Sequence, residues 1–303
     1  MSSVEIGQAG SPTLEAAEGS VEAKKLGIGF WVCIGWIVLV VVLAIVEPLL
    51  PLKDWQENFF DRDRLPDRPP YAPSGEHWFG TDRDARDLFA RVIRGSRVSL
   101  LIGFVAVAFG FLIGGSIGLI GGFVKGWFDR ISSFAMLVLL SFPALVLAIL
   151  ITSLLDRNVW TIAITLGILS IAPVSRLARS TALVFAEREF VTAARAMGAK
   201  PSHIMVRELL PNVLIPMSAL ALLGTAVAIV AEGGLAFLGL SVSQDDDQLS
   251  WGQLILFGSD SAVLEDAPWV AFAPIIVLFL TVMALNFAGD KLRDYFDVRE
   301  LAL

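Results

Sequence analysis

The sequence predicts an all-α, polytopic membrane protein with six transmembrane helices. Hydrophobic residues make up 55% of the 303 positions and charged residues only 17%, with a mean hydropathy of +0.71. Soluble domains carry about 45–50% apolar and about 25% charged residues. Six runs reach the roughly 20 mostly apolar residues that a bilayer-crossing helix requires. None of them alternates apolar with polar positions, as barrel strands do.

Residues 1–25 are rich in Glu, Gly, Ser and Ala and read as a disordered cytoplasmic tail. The first span is 26–46, too long for a signal-peptide core and without a small-x-small cleavage site, so it reads as an uncleaved helix. An extracytoplasmic segment, 47–97, follows. The core then occupies 98–288, with spans at 98–123, 131–155, 159–177, 213–240 and 269–288, and a cytoplasmic tail at 289–303. Pro143 and Pro173 mark expected kinks. Gly110, Gly114, Gly118 and Gly122 repeat every four residues and form a smooth helix face, suited to packing either within the chain or against a companion.

Lysines and arginines orient the chain. With the N-terminus inside, the cytoplasmic loops collect Lys125, Arg130, Arg176, Arg179, Arg188, Arg195, Lys200 and Arg207, and the tail adds Lys291, Arg293 and Arg299. The outer loop 241–267 carries six acids, among them Asp245, Asp246 and Asp247, and no Lys or Arg. Segment 47–98 opposes the trend, with nine Lys and Arg against ten acids. The balance places both termini in the cytoplasm.

Several function classes are excluded. A net charge of −7 argues against a broad nucleic-acid footprint, and Cys33 is alone. His77 and His203 fall on opposite sides of the membrane, which leaves no metal site. Neither side assembles a Ser/His/Asp or Cys/His set, and the chain lacks a G-x-x-x-x-G-K-[ST] phosphate loop. No catalytic, cofactor-binding or metal-ligating residue is therefore expected. A channel or secondary transporter that needs no ATPase would carry paired intramembrane charges. Here Glu232 is the one candidate. It reads either as a structural hydrogen-bonding group or as a functional one. Ser170, Thr181, Ser218 and Thr225 are the other polar groups at or near the spans.

The cytoplasmic stretch 187–212 reads as a short helix, a turn at Gly198 and a second short helix from Pro201. Phe190, Ala193, Ala194 and Met197 share one face of the first helix. Ile204, Leu209 and Leu210 offer an apolar contact surface in the second.

This stretch resembles the EAA loop of bacterial ABC importer permeases, on Ala193, Ala194, Gly198, Leu210 and Pro211; Thr192 stands where that motif has its Glu, and Glu208 where it has Ile. Residues 79–100 resemble the signature before the second span of dipeptide/oligopeptide-type permeases, on Phe79, Gly80, Thr81, Asp82, Arg86, Asp87, Arg91, Gly95, Arg97, Ser99 and Leu100. Ala85 replaces the usual Gly, so the backbone there cannot rely on a favourable positive φ. Residues 232–252 are similar to the family's "E..LSFLGLG…SWG" element, on Glu232, Leu235, Phe237, Leu238, Gly239, Leu240, Ser250, Trp251 and Gly252. Residues 285–297 are similar to its closing segment.

The resemblance, from about residue 26 to 299, is to the DppC/OppC-type transmembrane permease subunits of dipeptide/oligopeptide ABC importers. It implies one half of a translocation pathway in the bacterial inner membrane, with alternating access driven from outside the chain. Glu189, Ala193, Ala194, Gly198, Leu210 and Pro211 would form the loop that couples to the ATPases. The implied partners are a homologous DppB/OppB-type permease, two DppD/DppF- or OppD/OppF-type ATPases that bind ATP and Mg, an extracytoplasmic solute-binding protein, and the peptide itself. Relatives of this type also handle nickel complexes, glutathione and antimicrobial peptides.

Overall fold

The computed structural model describes residues 26–60, 68–242 and 248–301. The expected tail 1–25 and the Asp245–Asp247 run lie outside the described residues. All regular elements among the described residues are helical. They are α1 (Ile28–Val46), α2 (Leu88–Gly110), α3 (Ser116–Val124), α4 (Gly126–Ser141), α5 (Ala144–Leu154), α6 (Val159–Ala186), α7 (Glu189–Ala196), α8 (Pro201–His203), α9 (Leu210–Phe237), α10 (Trp251–Gly258), α11 (Ser261–Asp266) and α12 (Trp269–Leu301), with a short 3-10 turn at Glu47–Leu49. Five stretches are each long and apolar enough to cross a membrane, and a bent helix pair supplies the sixth crossing when taken as one span.

Several boundaries differ from the hydropathy reading, for identifiable reasons. The second span begins at Leu88 instead of residue 98 and continues to Val124 through a π-helical turn, Phe111–Gly115. Apolar content ends at three arginines, but each is matched: Arg91 Nε lies 3.3 Å from Asp82 Oδ2, and Arg94 and Arg97 reach Glu47 at 3.0 and 3.8 Å. The fifth span likewise starts earlier. α8 passes through a second π-helical turn, Ile204–Leu209, directly into α9, so the second helix of the 187–212 stretch is the root of that span and no separate element.

The third span is not one helix. α4 and α5 meet at 85°. Pro143 has no N–H to continue the ladder, and its ring drives Phe142 to extended backbone (φ −82°, ψ 133°). Pro173, by contrast, lies inside an unbroken α6.

The glycine face of α2–α3 packs within the chain. A Cβ at Gly110, Gly114 or Gly118 would come within 1.8, 2.3 and 2.2 Å of Ser170 Oγ, Ile171 O and Ser175 O, all on α6. This settles the open choice in favour of intramolecular packing. Ser170 Oγ also donates to Ala106 O across the same contact at 3.2 Å. Thr225 and Ser218 hydroxyls return to carbonyls of their own helix, Ala221 and Ile215.

The three larger of four apolar clusters among the described residues hold the bundle. One joins α1 to α12 and α9 through Phe30, Ile37, Val40, Ile229, Leu285 and Ala288, with Trp36 Nε1 donating to Thr281 Oγ1 at 3.1 Å. A middle cluster links α2, α6 and α9 through Ile102, Ile162 and Leu235. The third lies under the 187–212 stretch.

Candidate functional site

The two motifs assigned to the outer side meet in one interlocked cap. Gly80 turns the chain at φ +74°, and a Cβ there would lie 2.6 Å from Tyr71 O and 2.7 Å from Trp269 Nε1. Thr81 Oγ1 accepts from Tyr71 N at 2.8 Å. Asp82 Oδ1 accepts from the backbone N–H of Asp84 and Arg86, both at 2.9 Å. Asp87 caps α2 by accepting from Ala90 N at 2.9 Å, while its other oxygen lies 2.8 Å from His77 Nδ1. Ala85 nevertheless adopts a positive φ, +56°. The bonds Ala85 N to Asp82 O and Phe59 N to Ala85 O pin the residue, so tertiary contacts hold a conformation that glycine would take without a Cβ penalty. Arg86 is half-buried on the rim of a cleft of about 310 Å³, between this turn and α10–α11. Burial is the largest influence on the Asp82 carboxyl and raises it above the ordinary 3.8, against the opposing pull of Arg91. Asp260, on the exposed rim, is held below 3.8 by Arg83 at 2.5 Å.

Glu232 sits at the root of the second element. It is fully buried, and its Oε1 accepts from the hydroxyls of Ser241 and Ser250, the latter at 2.6 Å. Oε2 has no hydrogen-bond partner among the described residues. Ser250 is also the N-cap of α10, in a reciprocal capping box with Gln253. Trp251, entirely buried, donates from Nε1 to Val92 O at 2.9 Å and from its backbone N–H to Ser99 Oγ at 3.0 Å. A Cβ at Gly95 would approach the Trp251 ring to 3.0 Å. Gly95 and Ser99 of the first motif thus form the seat for Trp251 of the second. Through its Oε1 contacts Glu232 joins the loop after α9 and the start of α10 to the bundle.

At the opposite end, α7 closes with a Schellman arrangement. Ala199 N donates to Ala194 O and Gly198 N to Arg195 O, both at 3.0 Å, with Gly198 at φ +78°. The structure shows which side of this hairpin is buried. Val191 and Ala194 face inward, joined by Ile204 and Leu209, onto Ala178, Ala182 and Phe185 of α6. Ala193 and Met197 point outward, Met197 81% exposed, beside Glu189, Thr192 and the half-exposed Val206. Of the four residues on the face read from the spacing, Ala194 is buried and Phe190 partly buried against this cluster. Ile204 and Leu209 are consumed by the chain's own core and offer nothing to a partner. Leu210 is half-buried, and Pro211 occupies the first turn of α9, exposed.

Sequence reading missed the contacts that tie α6 and this hairpin to the α3–α4 turn. Arg179 grips Asp129 with both arms of its guanidinium, the Nη2–Oδ2 contact being 2.7 Å. Lys125 Nζ lies 3.5 Å from Glu187, and the Arg195 guanidinium stands 5.6 Å from the Phe123 ring centroid. These partners are 50 to 72 residues apart, and no local pattern signals them. Among the described residues no group of three or more His, Cys, Asp or Glu is placed to hold a metal ion.

A helical bundle crossing the membrane several times, with an interlocked cap at one end and a helix–Gly–helix projection at the other, is the class of a transporter membrane subunit. The chain belongs to the family described as binding-protein-dependent transport system inner membrane component, whose pattern matches residues 106–300. It is 35% identical over 290 residues to the dipeptide transport system permease protein DppC of Alkalihalophilus pseudofirmus, covering 95% of this chain and 90% of that one. It is 39% identical over 228 residues to a putative peptide permease protein of Brucella suis, 75% of each chain. Identity to the glutathione transport system permease protein GsiD of Pectobacterium atrosepticum is 34% over 262 residues, 86% of this chain and 84% of the relative. The fold is shared with the MetNI methionine ABC transporter in an inward-facing conformation: TM-score 0.54, 21% identity, covering 68% of this chain and 95% of the other. The protein is thus a multi-pass permease subunit of an ABC importer. Membership fits a subunit without catalysis of its own, working with ATPase and companion permease components.

Proposed function

We propose that this chain is one half of the translocation pathway of an ATP-driven importer of short peptides, in the DppC/OppC manner. Both termini lie in the cytoplasm in this reading, and the cap faces the solute-binding protein. The observation that carries the peptide assignment is the similarity to a dipeptide permease along 95% of the chain. The companion would be a DppB/OppB-type permease, and ATP with Mg would be bound by two DppD/DppF- or OppD/OppF-type ATPases. The outward residues Glu189, Thr192, Ala193 and Met197 on α7 are the surface offered to an ATPase groove. Movement there would pass through Lys125–Glu187 and Asp129–Arg179 to α4, and the passage would change the side it faces.

Glutathione, itself a tripeptide, is the second reading, favoured by the GsiD similarity. Purification of the tagged complex in mild detergent, with mass spectrometry of its companions, tests the assembly: a second six-span permease and Walker-motif ATPases are expected. Uptake of radiolabelled dialanine, trialanine, glutathione and nickel by cells with and without the chain tests the cargo. Dependence of peptide uptake on the chain is expected. Dependence of nickel uptake alone would overturn the peptide assignment.

A further inference from the structure

Most charges of the cap are engaged with one another. Arg91 lies 3.3 Å from Asp82, Arg83 2.5 Å from Asp260 and Arg94 3.0 Å from Glu47. Arg86 is the least engaged of the set. Its Nε is buried without a hydrogen-bond partner among the described residues, and its Nη1 stands 3.5 Å from Oδ2 of Asp84, a mostly exposed carboxylate. An exposed ion pair at that distance is weak and readily exchanged. The backbone nevertheless fixes both residues in place. Asp82 Oδ1 accepts from the N–H of Asp84 and of Arg86, and Asp82 N donates to Arg86 O at 3.0 Å. Between them the buried Ala85 holds a positive φ that its side chain disfavours. Strain of this kind persists only where the surroundings over-determine it, and it gathers at functional positions. Here it sets Asp84 and Arg86, two residues apart, on the wall of one cleft.

That cleft holds about 310 Å³, at the lower end of the roughly 300–1,000 Å³ of small-molecule sites. Leu256 and Phe257 of α10 and Val270 of α12 supply its apolar surface. A cation and an anion 3.5 Å apart beside an apolar wall match a ligand that carries a carboxylate and an ammonium on one carbon, next to an apolar side chain. The planar carboxylate offers two acceptors to the guanidinium fork, Nε included. The ammonium brings three donors to Asp84. We propose that this cleft binds a free α-amino acid with an apolar side chain, its carboxylate on Arg86, its ammonium on Asp84 and its side chain against Leu256 and Phe257. Occupancy ties the turn at residues 80–87 to α10. The site belongs to the cap, so it stands or falls apart from the identity of the importer's cargo.

The test uses the purified importer complex in detergent, without binding protein, irradiated with photo-leucine. The diazirine of this amino acid marks the residues it touches, and mass spectrometry locates the mark. Saturable labelling of the fragments that contain residues 82–91 or 251–270 is expected, suppressed by excess leucine. N-acetyl-photo-leucine lacks the ammonium and photo-leucine amide lacks the carboxylate. Each should label these fragments about tenfold less, as the loss of one charged hydrogen bond implies. Arg86→Gln should lose the label while melting like the wild type. If that variant fails to fold, the three ligands on the wild-type complex still decide. Equal labelling by all three would mean an apolar contact only and would overturn the site, as would an unlabelled cap. Unchanged labelling of folded Arg86→Gln would strike the carboxylate assignment. A mark that appears only after binding protein is added would give the cleft to that protein and remove the amino acid from it.

Discussion

The interlocked cap and the helix–Gly–helix hairpin were both conspicuous in the sequence, and they are built on opposite principles. In the cap, Gly80, Thr81, Asp82 and Asp87 are all buried and spend their polar atoms on neighbouring backbone and on His77 and Arg91. In the hairpin, Val191, Ala194, Ile204 and Leu209 hold the frame while Glu189, Thr192, Ala193 and Met197 are left facing out. A recognisable motif can therefore mark either a folding device or a presented surface. Burial distinguishes them.

Two glycines make the sharpest comparison. Gly80 and Gly198 have nearly the same φ, +74° and +78°, but a Cβ at Gly198 meets nothing within 4 Å. Gly80→Val combines backbone strain with a backbone clash and should cost more than about 3 kcal/mol, seen as loss of monodisperse protein in fluorescence-detected size exclusion. Gly198→Val carries the strain alone, about 1–2 kcal/mol, and should still yield folded protein. Equal damage at the two sites would break the contrast.

Next in size is Asp87→Ala, which removes a helix cap and the partner of His77; about 1–3 kcal/mol of thermal stability should be lost, with uptake per folded molecule unchanged. Within the hairpin, Ala194→Glu forces a charge into the cluster under α7 and should destabilise by a similar amount or more. Met197→Glu should move stability by less than about 0.5 kcal/mol, yet reduce ATPase co-purification and uptake. A normal complex with full uptake for Met197→Glu would falsify the presented-surface reading.

The smallest effect is a pair of opposite pH dependences within the cap. The raised pKa of Asp82 means that its stabilising contribution is complete below pH 3.8 and is lost as pH climbs through the raised value. The lowered pKa of Asp260 means that its contribution is present above pH 3.8 and is lost as pH falls. The stability gap between wild type and Asp82→Asn should narrow with rising pH, while that for Asp260→Asn should widen. Thermal melts of the detergent-solubilised protein between pH 3.5 and 7 would show the crossing; parallel curves would mean that the two carboxyls share one environment.

What the sequence determined by itself is the part governed by sums over neighbouring residues. Twenty apolar positions in a row specify a spanning helix, and Gly198 and Pro201 act on their own backbone, so the hairpin turn was legible; Pro143 and Pro173 read alike, and only the fold showed that the first breaks its span and the second does not. Tertiary structure alone decided matters in which the partner lies far along the chain. The arginines that end the second apolar run are helical because Asp82 and Glu47 neutralise them. Ala85 takes a glycine conformation because the backbone of Phe59 and Asp82 holds it there. Ser241 and Ser250 reach Glu232 because α10 folds back over α9, and α7 turns its Val191 side inward because α6 offers alanines to receive it. Hydropathy is additive along a segment, whereas a hydrogen bond or a packed side chain needs two groups brought to one place, and only the folded chain supplies the second.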